Sequence, residues 1–254
     1  MSDRAQYTGV VWWFIGFGFG LIALAHVLPF PFLLDWVSRD VVLWRVPQAA
    51  GARTIYLTFD DGPNPTATPA LLDVLRRERV RATFFLIDRH ITADTAPIVR
   101  RIAADGHGVA LHSHTRRLML LSPDALARTL DGYAARWEEL SGARPCAAFR
   151  PHAGWRGAQM LGGLKRSGRR LIGWGFFLWD WDWFRRPAPD RLVPRILKRA
   201  RPGSVVVLHD GHHENPRADR QHTIEIVARL IPALRARGFT FGSVCDVLPA
   251  TEVG

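Results

Sequence analysis

From about residue 54 to the C-terminus, short apolar runs alternate with amphipathic segments, and no other feature of the sequence restricts the possible folds as much. Runs 55–59, 83–87, 109–112, 147–150, 171–174, 205–208 and 239–244 have strand length and strand-like composition. Between them, 69–79, 96–104, 123–140, 159–166, 190–200 and 223–237 carry helical periodicity. The boundary residues agree. Ser122-Pro123 offers an N-cap followed by proline in the first turn, and Gly106, Gly142, Gly168, Gly203 and Gly238 stand where helices should end. Repeated β-α units imply parallel strands joined by helical crossovers, hence an α/β fold. About seven strands in this order suit a closed or nearly closed barrel, or a doubly wound open sheet. In both, reactive groups gather at the carboxyl ends of the strands.

Upstream of this array, residues 9–34 contain no charged side chain and include Trp12, Trp13, Phe14, Phe17, Leu21 and Ile22. That exceeds the roughly 20 residues needed to cross a bilayer, so an N-terminal transmembrane helix is expected after a short tail at 1–8. Ala23-Leu24-Ala25 resembles a signal-peptidase site. Cleavage there would leave Val27, Leu28, Phe30, Phe32, Leu33 and Leu34 exposed, so an uncleaved single-pass anchor is the expectation. Residues 35–53 read as a linker with an apolar patch (Val41 to Trp44), and 54–249 as the folded domain.

Lys and Arg outnumber Asp and Glu by 34 to 23, a net charge of +11. This suits an anionic partner such as acidic headgroups or a wall polymer, or reflects an arginine-favouring coding bias. With no zinc-finger spacing and no compact basic run, nucleic-acid binding is not expected. Cys146 and Cys245 match no metal motif and lie in apolar, strand-like segments, so buried free thiols are expected rather than a disulfide.

The titratable residues fall at strand ends: Asp60-Asp61-Gly62 after the first, His112 after the third, Arg150 after the fourth, Asp180 and Asp182 beyond the fifth, and His209-Asp210-Gly211 after the sixth. Adjacent carboxylates on an extended strand point apart, so Asp60 and Asp61 are expected to do different work. One can bind a metal while the other serves as a base, and a histidine from another strand can ligate the metal or protonate a leaving amine.

In order, Thr58-Phe59-Asp60-Asp61-Gly62, His112, Arg150-Pro151-His152-Ala153-Gly154, Asp182-Trp183 and Leu208-His209-Asp210 resemble the successive motifs of the polysaccharide deacetylases, over about residues 53–248. The resemblance implies a distorted (β/α) barrel and hydrolytic removal of acetyl groups from sugars with one divalent metal. Zinc is the first expectation, with cobalt, manganese or iron compatible. It further implies Asp60 as general base, His209 as general acid, Arg150 bracing the base and Asp182 tuning the acid. Asp61 and His112 would be metal ligands, and the backbone N–H of Ala153 an oxyanion donor. Trp179, Trp181 and Trp183 are candidates for a sugar-stacking platform, and Trp174 is expected in the core.

The pattern breaks at one metal position. The family's second metal histidine follows the first by four residues, where this chain has Arg116. His114 could replace it, since residues two apart on an extended segment face one side. Alternatively Asp61 and His112 could hold metal with waters, or Arg116 could abolish metal binding. His152 stands where proline is usual and Ala153 where tyrosine is frequent. His212, His213 and His222 are expected in a solvated loop.

Three functions follow. The first is an N-deacetylase of a cell-envelope glycan rich in N-acetylglucosamine or N-acetylmuramic acid. The second is a deformylase or deacetylase of a lipid-linked amino sugar, and the third a glycan-binding barrel without chemistry. Arg39, Arg45 and Arg53 after the span, against Arg4 before it, lean weakly toward a cytoplasmic domain. An enzyme working beside the wall would lie outside the membrane, and an extracytoplasmic domain is the expectation.

Overall fold

The computed structural model describes residues 12–18, 20, 39–173 and 188–248. Strands β1 (Val42–Leu43), β2 (Thr54–Gly62), β3 (Thr83–Ile87), β4 (Gly108–His112), β5 (Ala148–Arg150), β6 (Arg170–Ile172) and β7 (Val205–His209) lie in the order β1-β6-β5-β4-β3-β2-β7, with β8 (Thr240–Phe241) beside the start of β2. Every pairing between these strands is parallel. Helices α1 (Ala67–Arg77), α2 (Ala96–Ala104), α3 (Pro123–Ser141), α4 (Ala158–Arg166), α5 (Pro189–Arg199) and α6 (Gln221–Arg235) supply the crossovers. The result is a distorted half-barrel. Its edges touch at one point, where Val46 N–H donates to the Gly203 carbonyl at 2.9 Å and Arg45 bridges Ser204.

The cap signals hold. The Ser122 hydroxyl accepts from Ala125 N–H at 3.3 Å, and all five predicted helix-ending glycines have positive φ. Two element readings change. Part of the expected linker is β1, which pairs with β6, and the last predicted strand shortens to Thr240–Phe241 before a 3₁₀ turn at Val244–Val247. A two-residue edge strand is too short to show a period in sequence.

Packing follows the pleat. Leu57, Phe84, Leu86, Val109, Leu111, Phe149, Leu171 and Val206 face the helices in the larger apolar cluster. Tyr56, Phe85, Ala110, Ala148, Ile172 and Val205 fill a smaller cluster inside the barrel. Side chains alternate faces along a strand, so Asp60, His112, Arg150 and His209, each an even number of residues from an inward residue, fall on the inner face at the carboxyl end.

The cysteines are not free. Cys146 and Cys245 form a disulfide across a separation of 99 residues, with Cα atoms 5.6 Å apart. Both meet at Val109, whose carbonyl accepts from Cys146 N–H at 2.8 Å and lies 3.8 Å from the Cys245 sulfur. Apolar context alone misled the sequence reading, because the pairing depends on parallel register that brings the starts of β4 and β5 to one end. Cross-linking so long a loop restricts the unfolded chain. Cys146→Ser/Cys245→Ser is expected to lose about 2–4 kcal/mol in urea unfolding, and reductant should bring wild type to the same midpoint.

Residues 12–18 are helical, with Trp12, Trp13, Phe14 and Phe17 exposed. The rest of the expected anchor, residue 20 apart, lies outside the described residues. Among the described residues no helix is long and apolar enough to cross a membrane.

Candidate active site

Asp60 and Arg150 form the innermost pair. Arg150 Nη1 donates to Asp60 Oδ1 at 2.5 Å and to Thr58 Oγ1 at 3.0 Å, while Nε and Nη2 donate to the carbonyls of Ile172 and Gly173. The guanidinium lies over the Phe85 ring, 3.9 Å from its centroid, and is 1% exposed. Four fixed acceptors and an aromatic floor leave the arginine one orientation, and through it Asp60.

Asp61 is turned away from Asp60 by its backbone. Its φ is +70°, and the register of β2 against β3 shifts between Asp60 and Gly62. The carboxylate therefore reaches His112, with Oδ1 3.2 Å from Nε2. His112 Nδ1 lies 2.8 Å from the Arg150 carbonyl, which can only accept, so Nδ1 donates there and Nε2 is the ring nitrogen that faces Asp61. Asp61 Oδ1 is buried without a properly directed hydrogen bond among the described residues. Nε2 of His112 and Oδ1 of Asp61 thus face one another in a buried place, an arrangement completed by a cation, either a proton on Nε2 or a metal ion between them. Burial alone would raise the Asp61 carboxyl. His112 against it, with His209 behind, outweighs burial and holds it below the usual carboxylate range.

Among the described residues one group of donors could hold a metal ion: Asp61, His112 and His152, whose ligating atoms all lie within 4.8 Å of one another. His114 is outside this group. Arg116 is exposed, with its guanidinium 4.9 Å from the Trp155 ring centroid. His152 is half-buried, and burial first, then His112, His213 and Arg116 nearby, lower its pKa to about 4, leaving the ring neutral at physiological pH.

His209 stands in register with Asp60 on the adjacent strand, its carbonyl accepting from Thr223 Oγ1 at 2.9 Å. The strand ends are in close contact here, since a Cβ on Gly211 would lie 2.0 Å from the Asp61 carbonyl oxygen. Asp210 beneath them is buried and accepts from the Thr68 hydroxyl. Burial, against that hydrogen bond and with Asp60 and Asp61 adding, pushes its carboxyl up to about 7. A folded pKa above the unfolded value means the folded state binds the proton more tightly. Stability from this group is therefore complete below about pH 4 and lost as pH rises to about 7. Chelator-treated wild type is expected to lose at most on the order of 4 kcal/mol over that window relative to Asp210→Asn, read from urea midpoints at each pH.

Ala153 sits at the exposed rim with left-handed backbone angles (φ 50, ψ 22). His212 and His213 were expected in solvent but are half-buried: His213 packs 4.6 Å from the His152 ring centroid and His212 4.5 Å from that of His213. Asp180, Asp182, Trp174, Trp179, Trp181 and Trp183 lie outside the described residues.

Comparison with known proteins agrees with this geometry. Residues 48–172 match the polysaccharide deacetylase family. The chain is 38% identical over 221 residues to a chitooligosaccharide deacetylase of Rhizobium leguminosarum bv. trifolii, covering 82% of this chain and 99% of that one. It is 30% identical over 211 residues to a peptidoglycan-N-acetylglucosamine deacetylase of Bacillus cereus, covering 82% and 92%. A solved peptidoglycan N-acetylglucosamine deacetylase shares the fold, with a TM-score of 0.73 at 24% identity over 87% of this chain and 99% of that one. The chain belongs to the polysaccharide deacetylase family, and the activity that goes with that membership is carbohydrate N-deacetylation.

Proposed function

We propose that this protein is a metal-dependent N-deacetylase of cell-envelope amino-sugar glycans, tethered to the outer face of the membrane. The observation that carries the reading is the buried Asp60–Arg150 pair beside the facing Asp61 Oδ1 and His112 Nε2. A divalent metal held there by Asp61 and His112, zinc first, would polarise the acyl carbonyl and acidify a water. Asp60, kept in place by Arg150, takes the proton of the attacking water. The N–H of Ala153 donates to the developing oxyanion, and His209 protonates the departing amine. Asp182 tunes that acid, and Trp179, Trp181 and Trp183 are proposed to stack on the sugar.

Placement outside the membrane is supported by the disulfide, which persists in oxidising compartments. Tethering is supported by the uncharged stretch 9–34 and by the exposed Trp12, Trp13, Phe14 and Phe17. The test is acetate release by detergent-purified full-length protein from N-acetylglucosamine oligomers and from peptidoglycan, with zinc or cobalt supplied and after chelation. Metal-dependent release from either supports the reading, and release from neither overturns it. Activity confined to a polyprenyl-phosphate-linked amino sugar would replace it with the lipid-linked alternative.

A further inference from the structure

We propose that His152, on the loop after β5, is the third protein ligand of the metal, in place of the histidine that position 116 lacks. The inference rests on the metal-dependent reading above and adds to it where the ligand set comes from.

Three observations carry it. First, the imidazole of His152 shares one cluster with Asp61 and His112, all ligating atoms within 4.8 Å. Ligands of a tetrahedral zinc at about 2.1 Å stand about 3.4 Å from each other, so closing the cluster takes at most about 1.4 Å, within the reach of side-chain rotation. Second, the two candidates from the loop after β4 are elsewhere. Arg116 is exposed and stacked on Trp155, and His114 is not in the cluster. Third, His152 is held from both sides. Its backbone N–H donates to Ser113 Oγ at 2.8 Å and Ser113 N–H donates to the Arg150 carbonyl at 3.3 Å, so the segments bearing His112 and His152 brace each other.

On the other side the His213 ring packs on His152, and the loop carrying it is pinned in turn. Arg89 donates to the His213 carbonyl, and Arg220 Nε donates to the Gly211 carbonyl at 2.7 Å. His213 thus packs against the His152 ring from a loop that is itself held in place. Metal ligands drawn from the ends of β2, β4 and the β5 loop would span the rim on both sides of β3. The histidine gained at 152 compensates for the one absent at 116.

The experiment is zinc titration by calorimetry, with the cobalt absorption spectrum as a second readout, on chelator-stripped full-length protein and on His152→Ala, His114→Ala, Asp61→Ala and Arg116→His/His152→Ala. Circular dichroism checks that each variant is folded. His152→Ala is expected to weaken zinc binding by at least about 100-fold and to alter the cobalt bands, whereas His114→Ala leaves both unchanged. Arg116→His/His152→Ala is expected to regain part of the affinity. Unchanged zinc binding in folded His152→Ala, or loss in His114→Ala instead, overturns the assignment. If Asp61→Ala also binds zinc like wild type, the metal reading of this site fails as a whole. If Asp61→Ala loses zinc and His152→Ala does not, only the assignment of His152 fails.

Discussion

Asp60→Asn is expected to lower kcat/KM on N-acetylglucosamine oligomers by about 10²–10⁴ while leaving zinc affinity unchanged. The substitution keeps the shape of the side chain and an oxygen for Arg150 Nη1, but an amide cannot take up a proton at neutral pH. Asp60 lies outside the donor group of Asp61, His112 and His152, so metal binding and catalysis should separate cleanly at this position. The check is a steady-state assay run beside a zinc titration on the same preparation. Retained activity would remove Asp60 as the base. Loss of zinc together with activity would make it a ligand and require a different base. Asp61→Asn is the informative partner, because there affinity and rate should fall together.

Much of this site is visible in the primary structure because its residues mark strand ends. A parallel half-barrel turns order along the chain into position around a rim, so Asp60, His112, Arg150 and His209 need only terminate successive apolar runs to converge. Their shared inward direction is also implicit, through the pleat parity that ties Asp60 to Tyr56 and Arg150 to Ala148. The five helix-ending glycines were legible for a local reason, since φ near +60° to +80° disfavours side chains with a Cβ.

What the sequence concealed depends on contacts between distant segments. His152 appeared as a lone departure from a proline, and Arg116 as a lone departure from a histidine. Only when the loops after β4 and β5 are side by side, tied through Ser113, do they read as a single exchange. Two departures from the family's motifs in one chain, one losing a histidine and one gaining it, were the available signal. The disulfide was hidden likewise, because nothing local to Cys146 or Cys245 shows that both reach Val109. The stacking of His152, His213 and His212 defeated a composition argument, which treats a histidine-rich stretch between elements as solvated.

Arg150→Met is expected to cost about 3–5 kcal/mol of folding stability in urea unfolding at pH 7, together with loss of activity. The arginine is buried with four hydrogen-bond acceptors, one of them the Asp60 carboxylate. Methionine fills similar space but leaves that carboxylate buried without a cation and two carbonyls without a donor, and the desolvation of all three is then uncompensated. Asp60→Asn/Arg150→Met should therefore be less destabilised than Arg150→Met alone, since removing the stranded charge recovers part of the loss. A single-variant cost below about 1 kcal/mol would mean that water reaches Asp60, and that the pair is not the closed unit its burial indicates. If the double variant recovers, the folded chain is carrying a buried ion pair that an apolar pair could replace with little loss of stability. The reason to retain it is then chemical: Arg150 keeps a carboxylate dry and aimed beside the metal donors, as a general base at this strand end requires.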